Sequence, residues 1–391
     1  MVGHRPQLKV AVVHDWLTGM RGGELCLEAI LELFPGADVF TLIHVKGSVS
    51  QTIESHKVVS SPLNSIRHIE KWYRHFLPIL PYFAESFNLR DYDLVISSSH
   101  CVAKGIRKSP NAVHLSYVYA PMRYMWNRFD EYFGKTKSSF VTRAVASLVR
   151  PFLQSWDRAS SSVERVDALC GISHFIASEI EAYYQRPAQV IFPFVELDRF
   201  TKKGLSKTRD SFYLMVGAFA PYKRVDLAIE VFNRLGLQLK IVGAGQDENR
   251  LKAMAGPSVE FLGYQTNEQI VEWYSRCRGF VFPGLEDFGI TPLEAMASGA
   301  PVIAFKAGGV CDTIPSDCGF VFDEQTASSL ETAVLACEKD PTRFSEAQLR
   351  EASARFTKQR FQSVFSHWVK TEWVSKGKSE HLLADVMIES V

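Results

Sequence analysis

Two carboxylates, Glu286 and Glu294, stand with seven residues between them on a stretch that changes character twice. An apolar run, Gly279 to Pro283, leads into an acidic, glycine-containing loop, Gly284 to Gly289. Thr291, Pro292 and Glu294 then have the spacing of a helix start, with Thr291 as cap, Pro292 at the first helical position and Glu294 closing a capping box. Backbone N–H groups at such a start favour an anion lying above the sheet. Glu294 is therefore either a cap or a ligand group. Glu286 and Asp287 are either solvated loop acids, the commoner fate, or part of a site. Upstream, Lys223 and Arg224 open a helix just after a strand, where two cations suit a diphosphate. Cations in a first turn oppose the helix dipole, which favours a functional role over a merely basic surface.

The first half carries a different set. Gly22 and Gly23 lie between a strand, Leu8 to Val13, and a helix expected from about Glu24 to Leu33. Glycines there let backbone N–H groups approach a phosphate or sugar; the alternative is a plain turn. His14, Asp15 and Trp16 precede them. Farther on, Tyr119, Arg123, Tyr124 and Trp126 follow a strand that turns at Pro121. Open α/β sheets bind ligands at such carboxyl ends, although an aromatic packing turn would look the same.

The elements that must hold these residues alternate. Strands are expected over 38–43, 94–97, 113–118 and 168–172, then over 212–217, 237–243, 259–262, 279–283 and 301–305. Helices between them imply doubly wound parallel sheets. Pro187 and Pro193 mark a crossing, which places the domain boundary near Pro193. A helix over 355–375 presents Phe356, Phe361, Val364, Phe365, Trp368 and Val369, an apolar face with which to return to the first domain. The polar tail after Lys376 is expected to fray. Gly243 and Gly245 lack the third glycine of a dinucleotide fingerprint, so an NAD-dependent dehydrogenase is the poorest fit.

Length and composition narrow the class. A chain of 391 residues exceeds one ordinary core, so two domains are expected. Hydrophobic residues make up 46% and charged residues 22%, an ordinary globular balance. A net charge of +1 argues against bulk electrostatic binding of nucleic acid. Seven scattered cysteines form no CxxC pair and no zinc spacing, so reduced thiols and a cytoplasmic setting are expected. No leader-like apolar segment precedes the first strand, and no run of 18 apolar residues occurs.

Two segments interleave basic and apolar residues. Ile66 to Phe87 sets Arg67, His68, Lys71, Arg74 and His75 among Trp72, Tyr73, Phe76, Ile79 and Tyr82. Lys135 to Arg158 sets Lys135, Lys137, Arg143, Arg150 and Arg158, with the single acid Asp157, against Phe140, Val141, Val145, Leu148, Val149 and Phe152. Both patterns suit peripheral contact with an anionic membrane, or helices packed on the first domain.

The block Gly284 to Ile303 resembles the Glu-x7-Glu signature of family-4 retaining glycosyltransferases, and the likeness continues through Gly308, Gly309, Val310 and Asp312. Pro221 to Ile229 resembles the donor-phosphate segment. His14 to Trp16 and Gly22 to Glu24 resemble the acceptor-side loop. Ala120 to Tyr124, with Trp126, is similar to a subgroup acting in polysaccharide and O-antigen assembly, often as mannosyltransferases. The resemblance implies an α/β chain of two Rossmann-like domains facing across a cleft, the GT-B fold. Residues 1–192 would form the acceptor domain, 193–354 the donor domain, and 355–391 a helix packing back on the first. It implies catalytic roles for Glu286, Lys223 and Tyr119, and donor contacts from Lys223, Arg224, Glu286, Phe288, Gly289, Ile290, Thr291, Glu294, Gly22 and Gly23. Asp15, Trp16 and Arg123 would lie on the acceptor side. Lys223 would neutralise the leaving diphosphate, Glu294 would accept from the ribose hydroxyls, and Glu286 would touch the transferred sugar. A nucleotide-diphosphate sugar serves as co-substrate, first of all GDP-mannose; no metal and no further cofactor are implied. The acceptor would be a glycan or a lipid-linked glycan of cell-surface polysaccharide or lipopolysaccharide, at the inner face of the cytoplasmic membrane. Two positions depart from the family: Tyr119 stands where many relatives have His, and Ala218 to Ala220 follow Gly217 where many have Arg. These departures keep open a catalytically weak binding member of the same fold; a nucleotide-sugar epimerase is a further alternative.

Overall fold

The computed structural model describes residues 8–134, 139–200 and 209–388, so Lys135 and Lys137 of the second basic segment lie outside the described residues. The chain forms two compact units, Met1–Pro193 with Lys358–Val391, and Phe194–Thr357.

The first unit holds a seven-stranded sheet. Its strands are β1 (Val10–His14), β2 (Asp38–Thr41), β3 (Val58–Ser60), β4 (Leu94–Ser99), β5 (Val113–Val118), β6 (Ala168–Gly171) and β7 (Gln189–Val190). The order is β3-β2-β1-β4-β5-β6-β7, and every pair is parallel. β1, β4 and β5 are buried at every position, as strands covered on both faces should be, although β4 and β5 carry Ser97, Ser98, Ser99, His114 and Ser116. The second unit holds six parallel strands: β8 (Tyr213–Val216), β9 (Leu239–Val242), β10 (Val259–Gly263), β11 (Gly279–Phe282), β12 (Val302–Phe305) and β13 (Gly319–Phe322). Their order is β10-β9-β8-β11-β12-β13. Each sheet reverses its winding once, between β1 and β4 and between β8 and β11. Loops after those strands open the crevice in which doubly wound sheets bind ligands.

Several expected elements end elsewhere. The first helix is Gly22–Leu33, so Gly22 and Gly23 are its first residues rather than a loop. Glu24 makes this start: its carboxylate accepts the Arg21 backbone N–H at 3.0 Å, which draws the two glycines into the first turn. Ile66 to Phe87 is not a helix pair but three short helical segments in succession, Ile69–Trp72, Tyr73–Ile79 and Leu80–Glu85. Pro78 and Pro81 remove backbone donors there and break the run. The helix expected over 355–375 begins at Lys358, behind a separate helix, Glu346–Ala354. Phe356 stays with the second unit and packs on Phe288 at 5.6 Å. Phe361 and Phe365 pack on Tyr117 in the first, and Lys358 pairs with Glu32 at 2.6 Å. Over the described residues, to Ile388, the tail does not fray: Glu380–Ala384 is helical, Leu383 and Met387 are buried, and the Ile388 N–H bonds the Leu33 carbonyl at 2.9 Å. Among the described residues no helix is long and apolar enough to cross a membrane.

Candidate functional site

In the second unit the residues converge where β8 and β11 part. After β8 the chain makes one tight turn, Pro221–Lys223, and Arg224 takes a left-handed conformation at φ 50° before the helix Val225–Leu235. That turn lays the Lys223 side chain over Gly217, where an added Cβ would lie 3.7 Å from Nζ. The loop after β11 comes up against it: the Leu285 N–H bonds the Tyr222 carbonyl at 3.2 Å, and a Cβ on Gly284 would meet Lys223 Cα at 2.8 Å. The Lys223 ammonium pairs with the Glu286 carboxylate, and both side chains are mostly buried, 13% and 18% exposed. Behind Glu286, the Gly309 N–H holds its carbonyl at 2.8 Å, and a Cβ on Gly309 would fall 2.2 Å from Phe288 Cα. Glycine is required there by backbone contact, which explains the pair Gly308–Gly309 downstream of the acidic loop.

The capping box expected at Thr291 to Glu294 is absent. The helix is Ile290–Ala297, Gly289 precedes it at φ 98°, and no side chain caps it. Gly289 bends the chain so sharply that the helix starts one residue before Thr291, and Pro292 becomes its third residue. Glu294 is thereby released from capping. Its Oε2 accepts the Tyr274 hydroxyl at 3.0 Å, and burial pushes its carboxyl up to about 7. Phe288 is buried and packs on Phe356, so its ring is a support and not a contact surface. The Arg224 guanidinium, expected to face a diphosphate, is instead bonded to Asp226 at 3.3 Å and Gln325 at 3.2 Å. Gln325 in turn holds the Pro283 carbonyl at 2.8 Å, so Arg224 braces the loop after β11. Among the described residues no three His, Cys, Asp or Glu side chains stand together as a cation site.

In the first unit a buried polar chain occupies the ends of β1, β4 and β5. His14 Nδ1 meets Ser98 Oγ at 3.0 Å, Ser98 Oγ meets the Tyr119 hydroxyl at 2.8 Å, and that hydroxyl donates to the Gly23 carbonyl at 2.9 Å. Tyr119 thus secures the start of the helix Gly22–Leu33, and burial pushes its phenol well above the ordinary value. A Cβ on Gly23 would meet His14 and Tyr119 at 3.7 Å, an ordinary contact, so packing alone does not demand glycine.

Asp15 is not on an acceptor surface. It is fully buried, and its two oxygens accept the backbone N–H groups of His100, Cys101, Val102 and Ala103 at 2.6–3.0 Å. It organises the turn after β4. Burial alone would raise its carboxyl, but His100 and those N–H groups outweigh it and hold it below the usual range. His100 Nδ1 lies 3.2 Å from Asp15 Oδ2, and its ring meets Trp16 edge-on at 4.5 Å. Burial lowers His100 to about 4, so it is neutral near pH 7. Its side chain is still 28% exposed, and Trp16 and Arg123 beside it are half-buried. Trp126 is a packing residue: its indole donates to Asp157 at 2.7 Å and stacks on Tyr183 at 4.6 Å. Tyr124 contacts Cys101 Sγ at 2.5 Å.

Sequence reasoning missed Ser98, His100 and Tyr274. The signal for the first two was present: Ser97, Ser98, Ser99 and His100 end a strand whose core demands apolar residues. Tyr274, on the helix Asn267–Arg276, carried none.

Residues 198–359 match the family model described as glycosyl transferases group 1. A GDP-mannose-dependent alpha-mannosyltransferase of Mycolicibacterium smegmatis is 36% identical over 143 residues, 36% of this chain and 38% of that protein. O-antigen chain mannosyltransferase C of Escherichia coli is 31% identical over 160 residues, 38% of this chain and 43% of that protein. The D-rhamnosyltransferase WbpZ of Pseudomonas aeruginosa is 26% identical over 247 residues, 57% and 64%. The chain therefore spans less than two thirds of these curated relatives. Among solved structures, sucrose-phosphate synthase of Thermosynechococcus elongatus superposes with a TM-score of 0.67 at 17% identity, covering 94% of this chain and 100% of that one. Anabaena HepE in complex with UDP and glucose gives 0.64 at 15% identity, covering 93% and 100%. These likenesses at low identity concern the fold.

Proposed function

We propose, for a chain whose residues 198–359 are a group 1 glycosyltransferase domain on a GT-B fold, that it transfers a hexose from a nucleotide-diphosphate sugar to a glycan or lipid-linked acceptor with retention of configuration. The observation that carries this reading is the Lys223–Glu286 pair at the β8/β11 crevice. A cation beside the donor neutralises the diphosphate as it leaves. The same diphosphate competes with Glu286 for Lys223, which frees the Glu286 carboxylate to accept from a sugar hydroxyl. Glu294, with one oxygen on Tyr274, has its second oxygen left to accept from the ribose. This division of labour uses no metal and no bound cofactor. GDP-mannose is the first donor to try, supported by the name of one relative above, and mannose by the name of a second. On this reading the acceptor belongs to cell-surface polysaccharide assembly at the inner face of the cytoplasmic membrane, with the segments 66–87 and 139–158 towards the lipid.

Thermal-shift screening against GDP- and UDP-sugars tests the donor, because a ligand bound to the native state raises its melting temperature. GDP-mannose is expected to give the largest rise. No rise with any nucleotide sugar would sink the reading. One observation favours a second reading, a catalytically weak donor-binding member: the Tyr119 hydroxyl is fully committed to Ser98 and Gly23. Donor binding without transfer to any lipid-linked glycan pool would select it.

A further inference from the structure

The helix Phe140–Ser160 has two unlike faces. Ala146, Leu153 and Asp157 point inward and are buried, and Leu153 joins the core cluster of Ile69, Tyr73 and Leu80. Val141, Val145, Leu148 and Phe152 recur at i, i+4, i+7 and i+11, which puts them in one stripe on the opposite side. They are 69%, 51%, 82% and 58% exposed, and Phe140 at the helix start is 86% exposed. Single apolar side chains at a surface need no explanation, but a contiguous row marks an interaction site. The second unit offers the contrast: its exposed Met254, Tyr264 and Leu335 stand far apart in the chain.

Charge decides what covers the stripe. Over 140–160, Arg158 is exposed and Arg143 half-buried, Arg150 is turned onto the Met125 and Trp126 carbonyls, and the one acid, Asp157, is buried against Lys104. Trp72, Ile79 and Tyr82, on the segment packed against the same core, are 56%, 46% and 71% exposed beside the exposed cations Arg67, Lys71 and Arg74. Apolar side chains with cations around them suit an anionic bilayer surface, where the first enter the acyl boundary and the second meet phosphates. A second copy seated on this face by two-fold symmetry would set like charges against one another.

We propose that the stripe Val141, Val145, Leu148 and Phe152, with Phe140, seats the first unit on a bilayer containing anionic phospholipid. This rests on the reading of the chain as a transferase whose acceptor is membrane-held, and it names the face that does the holding. The helix lies in the interface and does not cross it.

The test is flotation of the full chain with vesicles of phosphatidylcholine mixed with phosphatidylglycerol, and with phosphatidylcholine alone. The wild type is expected to float with the mixed vesicles, less at high salt, and little with phosphatidylcholine. The double variant Leu148→Glu, Phe152→Glu is expected to bind the mixed vesicles more weakly by about tenfold or more, since each side chain loses its apolar burial. Both positions face solvent, and circular dichroism checks that the variant folds; if it does not, Leu148→Ser takes its place. A wild type that ignores anionic vesicles overturns the proposal, as does a variant that binds them equally well. So does a dimer in sedimentation velocity that the variant dissolves, because a second copy then covers the face. Thermal shift with GDP-mannose, without vesicles, reports on the transfer reading alone, so the two fail separately.

Discussion

The two crevices of this chain are built alike and filled differently. Each lies where a parallel sheet reverses its winding, between β1 and β4 in the first unit and between β8 and β11 in the second. In the second, the site-forming charges, Lys223 and Glu286, come from the two loops themselves and face each other. In the first, the charged groups are turned inward. Asp15 holds four backbone N–H groups and Tyr119 holds a carbonyl, while His100, Trp16 and Arg123 keep part of their surface outside. The difference fits two kinds of partner. A nucleoside diphosphate is anionic and nearly constant in shape, so a fixed cation serves it. A sugar hydroxyl is neutral and is met by shape and hydrogen bonds, so a rigid frame with few exposed polar groups serves it. On the proposed reading, charge does the work in one crevice and positioning in the other.

The sharpest way to break this comparison is to remove the charges. Lys223→Ala and Glu286→Ala are each expected to lower kcat by about 10²–10³-fold or more, the scale of losing one preorganised electrostatic partner. Transfer at wild-type rate in either variant would end the distinction. Asp15→Asn attacks the frame. An amide offers one acceptor oxygen to four N–H groups, so the turn His100 to Ala103 should lose about 2–4 kcal/mol locally. Hydrogen exchange at those amides reads it directly, and donor affinity in the second unit should not move. Tyr119→Phe is milder: losing a hydroxyl that binds Gly23 and Ser98 should cost about 1–2 kcal/mol. If Tyr119 only positions the helix start, kcat falls while the donor dissociation constant stays put. A pH profile that loses a limb in the variant would instead make it a proton-transfer residue.

Legibility followed distance along the chain. Lys223 and Glu286, which the structure pairs, both lie on stretches that local order singles out: cations against a helix dipole, acids between glycines after an apolar strand. Most of the alternation of strands and helices was readable for the same reason, the expected strands ending within a residue or two of the observed ones, but β3, β7 and β13 were not expected. Asp15 was misassigned because its partners lie 85 to 88 residues away. No local pattern shows that a carboxylate beside a tryptophan is buried under another strand's loop. At Glu294 the expected capping box failed in the opposite way, through a neighbour too close rather than a partner too far. The spacing Thr291, Pro292, Glu294 satisfies a capping box, but Gly289 at φ 98° starts the helix earlier and leaves the side chain to reach Tyr274. The tail after Lys376 reads as polar from its first residues, Gly377 to His381, although Leu382, Leu383, Val386, Met387 and Ile388 follow and Leu383 and Met387 are buried.

The smallest expected effect tests Glu294 itself. Burial raises its carboxyl to about 7 from the ordinary carboxylate range. For the free protein the sign follows directly: the folded state prefers the protonated form, so the associated stability is full below the unfolded value of 4.5 and is lost as pH rises through about 7. Binding runs the other way. A carboxylate accepts ribose hydroxyls better than a carboxylic acid does, so donor affinity should fall as pH drops below about 7 and level off above it. Over one pH unit below the midpoint the loss approaches about tenfold at most. Calorimetric titration with GDP across pH 5.5–8.5, a range of about three units around the midpoint, measures it. Glu294→Gln should flatten that profile at the weaker level. A wild-type profile already flat through pH 7 would leave Glu294 as a support for Tyr274, and the second crevice would then bind its nucleotide through Lys223 and backbone alone.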